Sequence, residues 1–201
     1  MQYFEYGEAE VNYLKNKDKR LAEAIDRIGL VKREVISDLF TALINSIVAQ
    51  QISMKAVETI WQRMLVRFGD ITPQTIGSVS AEELQSVGIT MRKAIYIKNI
   101  ADAVLDGSFA MDDLQHLSDE EVAKRLSALK GVGVWTAEML LIFSLQRKNI
   151  LSWDDLAIRR GIMMLYNHRK LDKTQFEKYR RRYSPYGTVA SLYLWEISLG
   201  K

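Results

Sequence analysis

The chain contains no cysteine among its 201 residues. Disulfide bonds are therefore excluded, and so is an iron–sulfur cluster held by cysteine thiolates. It has only two histidines, His116 and His168, and they form no cluster with metal-ligand spacing. With only two prolines, the sequence has few points at which a helix is forced to end. We expect neither a catalytic metal nor a redox cofactor.

The sequence also lacks a long uninterrupted apolar run and a recognisable secretion signal. We therefore expect a soluble, cytoplasmic protein that does not enter a membrane. Hydrophobic residues make up 48% of the chain and charged residues 26%, which is enough apolar material for one or two compact domains. The net charge of +3 is compatible with a nucleic-acid partner but is weak evidence by itself.

What the sequence does contain is helical periodicity along most of its length. Apolar residues recur at helical spacing from residue 36 to residue 48, and no segment alternates in the way that a strand would. Ser53 and Ser80 mark helix starts, the latter as a capping box. We predict an all-α fold, with further helices near residues 8–15, 18–28, 91–105, 134–146, 155–166, 173–183 and 187–199.

The most informative motif is the segment Leu-Lys-Gly-Val-Gly-Val-Trp-Thr-Ala at residues 129–137. A capping box at Ser118 predicts a helix that ends at Gly131. Gly131 and Gly133 can both adopt positive φ, which allows a tight hairpin into a second helix. Unpaired N–H groups at that second helix start, together with Lys130, would bind an anion such as phosphate. For Gly-Val-Gly taken alone, an ordinary helix end is the preferred interpretation.

An acidic pair, Asp154 and Asp155, comes a short helix and a loop after this hairpin. Aspartate is a favoured residue at a helix N-terminus, so one of the two is expected to be only a cap. The spacing nevertheless leaves room for the hairpin and the acid to face one ligand.

Together these residues resemble the motif of the helix-hairpin-helix DNA glycosylases, the superfamily that includes endonuclease III. The resemblance is to the 3-methyladenine DNA glycosylase II branch in particular and extends from Asp18 to Trp195. It implies a two-lobed helical fold without a β domain, since the chain is too short at its start for the β domain of larger members. The implied lobes are residues 1–36 plus 151–201 and residues 37–150, with the helix-hairpin-helix at about 119–146. The residues that match the superfamily pattern are Leu129, Gly131, Val132, Gly133, Thr136, Ala137 and Asp155.

The resemblance implies a monofunctional DNA glycosylase that hydrolyses the N-glycosidic bond of alkylated purines, such as 3-methyladenine and 7-methylguanine, in base excision repair. Asp155 is the implied catalytic residue, because a fixed carboxylate stabilises positive charge on the sugar. Asp154 is expected to be a cap or an orienting residue. Bifunctional members carry a lysine in place of Trp135 to form a Schiff base, so no lyase activity is expected.

The resemblance also implies that Trp135, Trp195 and Met139 form the base pocket. Electron-rich rings attract cationic purines, although both tryptophans are also compatible with simple core packing. Met139 stands where the family often has tyrosine, which leaves the base selectivity open. The implied contacts to the DNA backbone come from the hairpin residues Lys130, Gly131, Val132, Gly133 and Thr136.

A base must leave the duplex before this chemistry, and a side chain then fills the gap. A loop with Gln50 and Gln51 resembles the family's wedge loop, with Gln51 preferred over Gln50. Ile89 is expected at the tip of a second intercalating loop. For both loops the alternative is a polar connection between helices.

Two other functions stay open at this stage. The protein could remove deaminated bases such as uracil or hypoxanthine, or it could be a non-catalytic helix-hairpin-helix protein that binds DNA. A nucleotide-binding loop is disfavoured because no strand precedes Gly-Val-Gly. The expected partner is double-stranded DNA with damaged bases, bound by a monomer. No cofactor is expected beyond a monovalent cation at the hairpin when DNA is bound.

Overall fold

A computed structural model of the chain describes residues 2–201, and these residues are mainly helical. The α-helices are α1 (Glu8–Lys17), α2 (Lys19–Ile28), α3 (Leu39–Ala49), α4 (Met54–Phe68), α5 (Pro73–Gly77), α6 (Ala81–Gln85), α7 (Met91–Leu105), α8 (Asp119–Ser127), α9 (Val134–Phe143), α10 (Leu156–Tyr166), α11 (Lys173–Tyr183) and α12 (Gly187–Ser198). The predicted all-α fold class is confirmed. In the part of the chain that the structure describes, none of these helices is long and apolar enough to cross a membrane.

Three short elements were not predicted. The strands β1 (Gln2–Tyr3) and β2 (Glu34–Val35) pair in antiparallel fashion, and Asp112–His116 forms one 3₁₀ helix. Strands of two residues are too short to produce a recognisable alternation of apolar and polar positions. They form a two-stranded antiparallel pair that joins two loops, and they do not form a β domain.

The chain divides into two compact units. The terminal unit comprises Met1–Val35 and Leu141–Lys201, and the central unit comprises Ile36–Leu140. Residues 141–150, which the sequence-based division placed with the central lobe, thus belong to the terminal unit.

Hydrogen bonds to the start of α12 explain why residues 147–150 join the terminal unit. The backbone N–H of Thr188 donates to the Lys148 carbonyl at 3.0 Å, and the Ile150 N–H donates to Thr188 Oγ1 at 3.0 Å. Ser191 Oγ donates to the Ile150 carbonyl at 2.9 Å. This segment is therefore held along α12, and only the tertiary structure defines where the unit begins.

The core of the central unit is built around α3 and α7. Helix α3 is apolar on almost every side and contributes Phe40, Leu43, Ile44, Ile47 and Val48 to the buried interior. Helix α7 packs against α3, α5 and α6. The capping boxes predicted at Ser80 and Ser118 are both formed, so the starts of α6 and α8 lie where the sequence placed them.

A buried carboxylate connects three helices of the terminal unit. Asp18 caps α2 through the Leu21 N–H and accepts hydrogen bonds from the Tyr166 hydroxyl and the Arg182 guanidinium, at 2.5 Å each. Burial acts to raise the pKa of Asp18, but these three hydrogen bonds outweigh it and hold the pKa below its ordinary value. Because its partners come from α10 and α11, the ionised side chain ties both helices to α2.

Helices α10 and α12 approach each other closely at Gly161. A Cβ placed on Gly161 would lie 2.2 Å from the Leu194 carbonyl oxygen and 2.9 Å from its carbon. Any side chain at position 161 would therefore push the two backbones apart. The distance between Asp155, at the start of α10, and Trp195, on α12, depends on this close contact.

We expect Gly161→Ala to destabilise the protein. Alanine favours a helix over glycine by about 1 kcal/mol, but overpacking at a close contact costs about 1–3 kcal/mol. The obstacle is backbone and not a flexible side chain, so the cost lies at the upper end of this range. The free energy of unfolding should therefore fall by about 2 kcal/mol in urea denaturation.

Gly133→Ala is the matched control, because a Cβ on Gly133 would meet no atom within 4 Å. The Gly133 carbonyl accepts the Ala137 N–H at the start of α9, so the loss of glycine at this cap position should cost no more than about 1 kcal/mol. An unfolding curve for Gly161→Ala that matches the wild type would contradict the close approach of α10 to α12.

Candidate functional site

Asp155 begins α10 and is only 7% exposed. Its Oδ1 accepts hydrogen bonds from the backbone N–H groups of Ala157 at 2.9 Å and Ile158 at 2.8 Å. The indole Nε1–H of Trp195 donates to the same oxygen at 3.2 Å. The carboxylate is thus oriented by two amides of its own helix and by one side chain of α12.

The N-cap position of α10 is occupied by Asp155 and not by its neighbour. The expectation that Asp154 caps this helix is wrong, because Asp154 lies in the exposed turn that precedes it. Sequence patterns alone assign capping and catalysis to different aspartates. The structure places the buried acid itself at the cap, so the helix end orients the candidate catalytic group.

An aromatic stack lies beside Asp155 in the terminal unit. The Trp195 ring stacks on Phe143, with ring centroids 5.5 Å apart and an interplanar angle of 25°. No sequence pattern marks Phe143 as a site residue, because it lies at the end of an apolar run that resembles core packing on every side. Asp155, Trp195 and Phe143 therefore form one connected group.

Trp153, for which the sequence predicts no role, lies two residues before Asp155 and packs against α10 and α11. Its ring meets Phe176 edge to face at 5.2 Å, and the Arg159 guanidinium lies 4.8 Å from the ring centroid. These contacts tie the turn before α10 to α10 and α11. Trp153 is accordingly a packing residue in this structure.

The predicted hairpin lies in the central unit, between the end of α8 and the start of α9. Gly131 has φ +92°, and a Cβ on it would lie 2.3 Å from Cδ2 of Tyr96. Gly133 does not have positive φ, so that part of the prediction is wrong, and a Cβ on it would meet nothing within 4 Å. Local structure therefore requires glycine at 131, whereas at 133 glycine leaves the backbone open to an external group.

The side chains of the other hairpin residues differ in exposure. Lys130 is exposed, whereas Val132 and Thr136 are 5% and 4% exposed. The Val132 N–H already donates to the Leu129 carbonyl at 3.1 Å, so backbone contacts to a phosphate would come from the N–H groups at the start of α9. The hairpin offers main-chain donors with one lysine beside them, which is the chemistry of an anion site.

Trp135 is 42% exposed on the first turn of α9, so the core-packing alternative for it is wrong. Met139, one turn further along the same helix, is 9% exposed. Residues four positions apart lie on one helix face, so the indole and the thioether are neighbours. The central unit thus presents an exposed aromatic surface of its own at the start of α9.

The candidate intercalating residues lie in different environments. Gln50 is half-buried and its Nε2 donates to the Gly131 carbonyl at 2.8 Å, whereas Gln51 is exposed with φ +59°. Ile89 lies in the loop before α7, but its side chain is 5% exposed, so it does not project from the loop in this structure, and its insertion into DNA stays a prediction. Ile89 directly precedes the N-cap of α7, where an apolar residue commonly packs back onto the helix.

The expected monovalent cation would have to be held by backbone carbonyl oxygens of the hairpin, a donor type that suits a hard cation. The carbonyls of Leu129, Gly131 and Gly133 accept hydrogen bonds from the protein itself, so the cation stays a prediction. Among residues 2–201, no group of three or more His, Cys, Asp or Glu side chains could hold a metal ion.

Comparison with known proteins places this arrangement in a family. Residues 44–185 match the family model for the HhH-GPD superfamily base excision DNA repair protein. DNA-3-methyladenine glycosylase 1 of Schizosaccharomyces pombe is 32% identical over 185 residues, which cover 90% of this chain and 81% of that protein.

Two solved structures are similar over most of their length. A DNA-3-methyladenine glycosidase from Bacillus halodurans has a TM-score of 0.86 and 35% identity, covering 98% of this chain and 93% of that one. A Schizosaccharomyces pombe 3-methyladenine DNA glycosylase in complex with abasic DNA has a TM-score of 0.82 and 30% identity, covering 94% and 96%. The resemblance carried by the hairpin and Asp155 is confirmed, and the chain belongs to the HhH-GPD superfamily of base excision DNA repair proteins.

Proposed function

We propose that this protein is a monofunctional DNA glycosylase that hydrolyses the N-glycosidic bond of alkylated purines in double-stranded DNA. The observation that carries the proposal is the buried carboxylate of Asp155, which is oriented by backbone N–H groups of α10 and by the indole N–H of Trp195. The substrate class is supported by relatives named DNA-3-methyladenine glycosylase. The partner is supported by a similar protein whose structure contains abasic DNA.

The reaction breaks the bond between C1′ of the sugar and the purine nitrogen. The bonding electrons leave with the base, which departs neutral if alkylation had made it cationic. Positive charge then develops on the sugar, and a water adds to C1′ and loses a proton. A carboxylate that is already oriented stabilises this charge without reorganisation during the reaction. Since a cationic base needs no proton to leave, one acidic residue is sufficient.

Exposed aromatic rings suit a cationic base. An electron-rich ring attracts a cation by about 0.5–2 kcal/mol. In the terminal unit Trp195 and Phe143 supply such a ring stack, and in the central unit Trp135 supplies an exposed indole. Because Trp135 stands where bifunctional members carry lysine, no amine is available at this position to form a Schiff base with the sugar.

The hairpin is proposed to bind a phosphate of the DNA backbone. Three features support this proposal. The backbone at Gly133 is open to an external group, the N–H groups at the start of α9 carry partial positive charge, and the exposed Lys130 carries a full positive charge. Contacts of this kind position the duplex and carry no sequence information.

Replacing Asp155 by asparagine should slow the release of 3-methyladenine and 7-methylguanine from methylated duplex DNA by about 100-fold or more. Asparagine is isosteric and still caps a helix, so the variant should fold, but it carries no negative charge. The test is chromatography of released bases under single-turnover conditions. Asp154→Asn is the matched control, because it removes the same charge from an exposed neighbour, and it should stay within about twofold of wild type.

Strand nicking in the same reactions tests the monofunctional assignment. Nicks should appear only after alkali treatment. Nicking without alkali would contradict the argument from Trp135.

Equal base release by Asp155→Asn and wild type would contradict the role of the acid, and release of only uracil or hypoxanthine would contradict the substrate class.

The two hairpin glycines should respond differently to alanine. Gly133→Ala places a methyl group on open backbone and should weaken binding to a duplex with a neutral abasic analogue by about tenfold or more, because hydrogen bonds to a charged group are lost. Gly131→Ala should lower the free energy of unfolding, because φ is +92° and Tyr96 fills the space. Fluorescence anisotropy and urea denaturation separate these effects. Wild-type affinity in Gly133→Ala would contradict phosphate binding at the hairpin.

A further inference from the structure

Lys93 lies in the first turn of α7 and directs its ammonium group at the end of α3. Its Nζ donates to the carbonyl oxygens of Val48 at 2.8 Å and Gln50 at 2.7 Å. Carbonyls at a helix C-terminus have no amide partner within the helix and carry partial negative charge. Burial lowers the pKa of Lys93. The lysine therefore holds the chain at the point where α3 ends and the following loop begins.

The loop is also held from its other side. Gln50, whose carbonyl receives Lys93, donates its own side-chain Nε2–H to the Gly131 carbonyl at 2.8 Å. A continuous line of contacts thus runs from Lys93 through Gln50 to the hairpin. All of these residues belong to the central unit.

The same helix contacts the hairpin directly. Tyr96 is three positions after Lys93, so both side chains lie on one face of α7. Its ring lies so close to Gly131 that a Cβ there would be 2.3 Å from Cδ2. One face of α7 therefore holds both the loop at residues 50–53 and the hairpin at residues 130–133.

The backbone of the loop is held in an unusual conformation. Gln51 is exposed and has φ +59°, a left-handed value that residues with a Cβ adopt at a cost. Such a conformation persists when the surrounding structure determines it. Two hydrogen bonds of the preceding residue, Gln50, supply that restraint. Its carbonyl accepts from Lys93, and its side chain donates to the Gly131 carbonyl.

We propose that Lys93 is a positioning residue that fixes the loop at residues 50–53 relative to the hairpin at residues 130–133. Its functional consequence rests on the function proposed above, in which the hairpin binds a phosphate, and on the expectation from the sequence that a glutamine of this loop fills the gap left by the flipped base. In this function the hairpin and the loop contact the same stretch of DNA. The distance between them must therefore stay constant while the base is flipped out of the duplex. A misplacement of about 1 Å can reduce a rate by about 100-fold.

The proposal gives Gln50 and Gln51 different roles. The Gln50 amide group is engaged by the hairpin and positions the loop. Gln51 remains the exposed residue of the pair.

The test compares Lys93→Met with Lys98→Met. Lys98 lies on the same helix and also donates to a backbone carbonyl, that of Gly77 at 2.7 Å, but it contacts neither the loop nor the hairpin in its described hydrogen bonds. Both substitutions remove one positive charge and one set of lysine donors. Any difference between them reports on the loop and not on net charge.

The first readout is amide hydrogen exchange without DNA, which needs no assumption about function. In Lys93→Met, the backbone amides of residues 50–53 should exchange faster than in wild type. The amides of residues 131–134 in the hairpin should also exchange faster, although this segment does not contain the substituted residue. Lys98→Met should leave both segments unchanged. Unchanged exchange at the hairpin in Lys93→Met would overturn the coupling.

The second readout is base release and base flipping on methylated duplex. Lys93→Met should lower the single-turnover rate by about 10- to 100-fold, with duplex affinity no weaker than that of Lys98→Met. Fluorescence of a 2-aminopurine beside the lesion should report less unstacking. Lys93→Arg should recover part of the rate, since guanidinium N–H groups can also donate to carbonyls.

A double mutant shows whether Lys93 and Gln50 affect the rate through one shared interaction or independently. If Lys93 acts through Gln50, Lys93→Met with Gln50→Ala should be no slower than the slower single variant within about twofold. Additive losses, or equal rates in Lys93→Met and Lys98→Met, would overturn the proposal. If the wild type released no alkylated base, the proposed function would fail, and hydrogen exchange would still decide the coupling.

Discussion

The hydrogen bond from Trp195 Nε1 to Asp155 Oδ1 is the interaction on which the candidate site depends. It joins the start of α10 to α12, and it forms because the two backbones approach closely at Gly161. The same oxygen also caps α10, so its position is tied to the helix end as well as to the indole. The chemistry proposed for this acid needs a carboxylate that does not move when charge develops, and this pair of helices provides one.

The central unit holds in place the backbone that is proposed to contact DNA. Its hairpin and its loop after α3 are both irregular segments, and irregular segments are mobile unless side chains fix them. Lys93 and Tyr96 fix them from one face of α7. The acid of the terminal unit is held by a helix pair, whereas the loops of the central unit are held by side chains of a helix beneath them.

Local sequence patterns predicted most of the fold. The capping boxes at Ser80 and Ser118 and the periodic apolar positions of α3 appear where expected, because each depends on residues a few positions apart. The glycine at 131 was also predictable, since a hairpin requires positive φ.

The contacts that the sequence did not reveal are between residues distant in the chain. The stack of Phe143 on Trp195, the bond from Gln50 to Gly131 and the support from Lys93 leave no local periodicity. The burial of Ile89 and the capping of α10 by Asp155 depend on how neighbouring segments turn, and a loop pattern alone does not determine that.

The central claim is that the Asp155 carboxylate stabilises positive charge on the sugar. It is tested most directly by affinity for two duplexes that differ in one charge. One contains a pyrrolidine abasic analogue, whose protonated ring nitrogen mimics the charged sugar, and the other contains a neutral tetrahydrofuran analogue. The account predicts that wild type binds the cationic duplex about tenfold or more tightly than the neutral one, and that Asp155→Asn loses this preference but binds the neutral duplex normally. An equal preference for the cationic duplex in both proteins would contradict the claim.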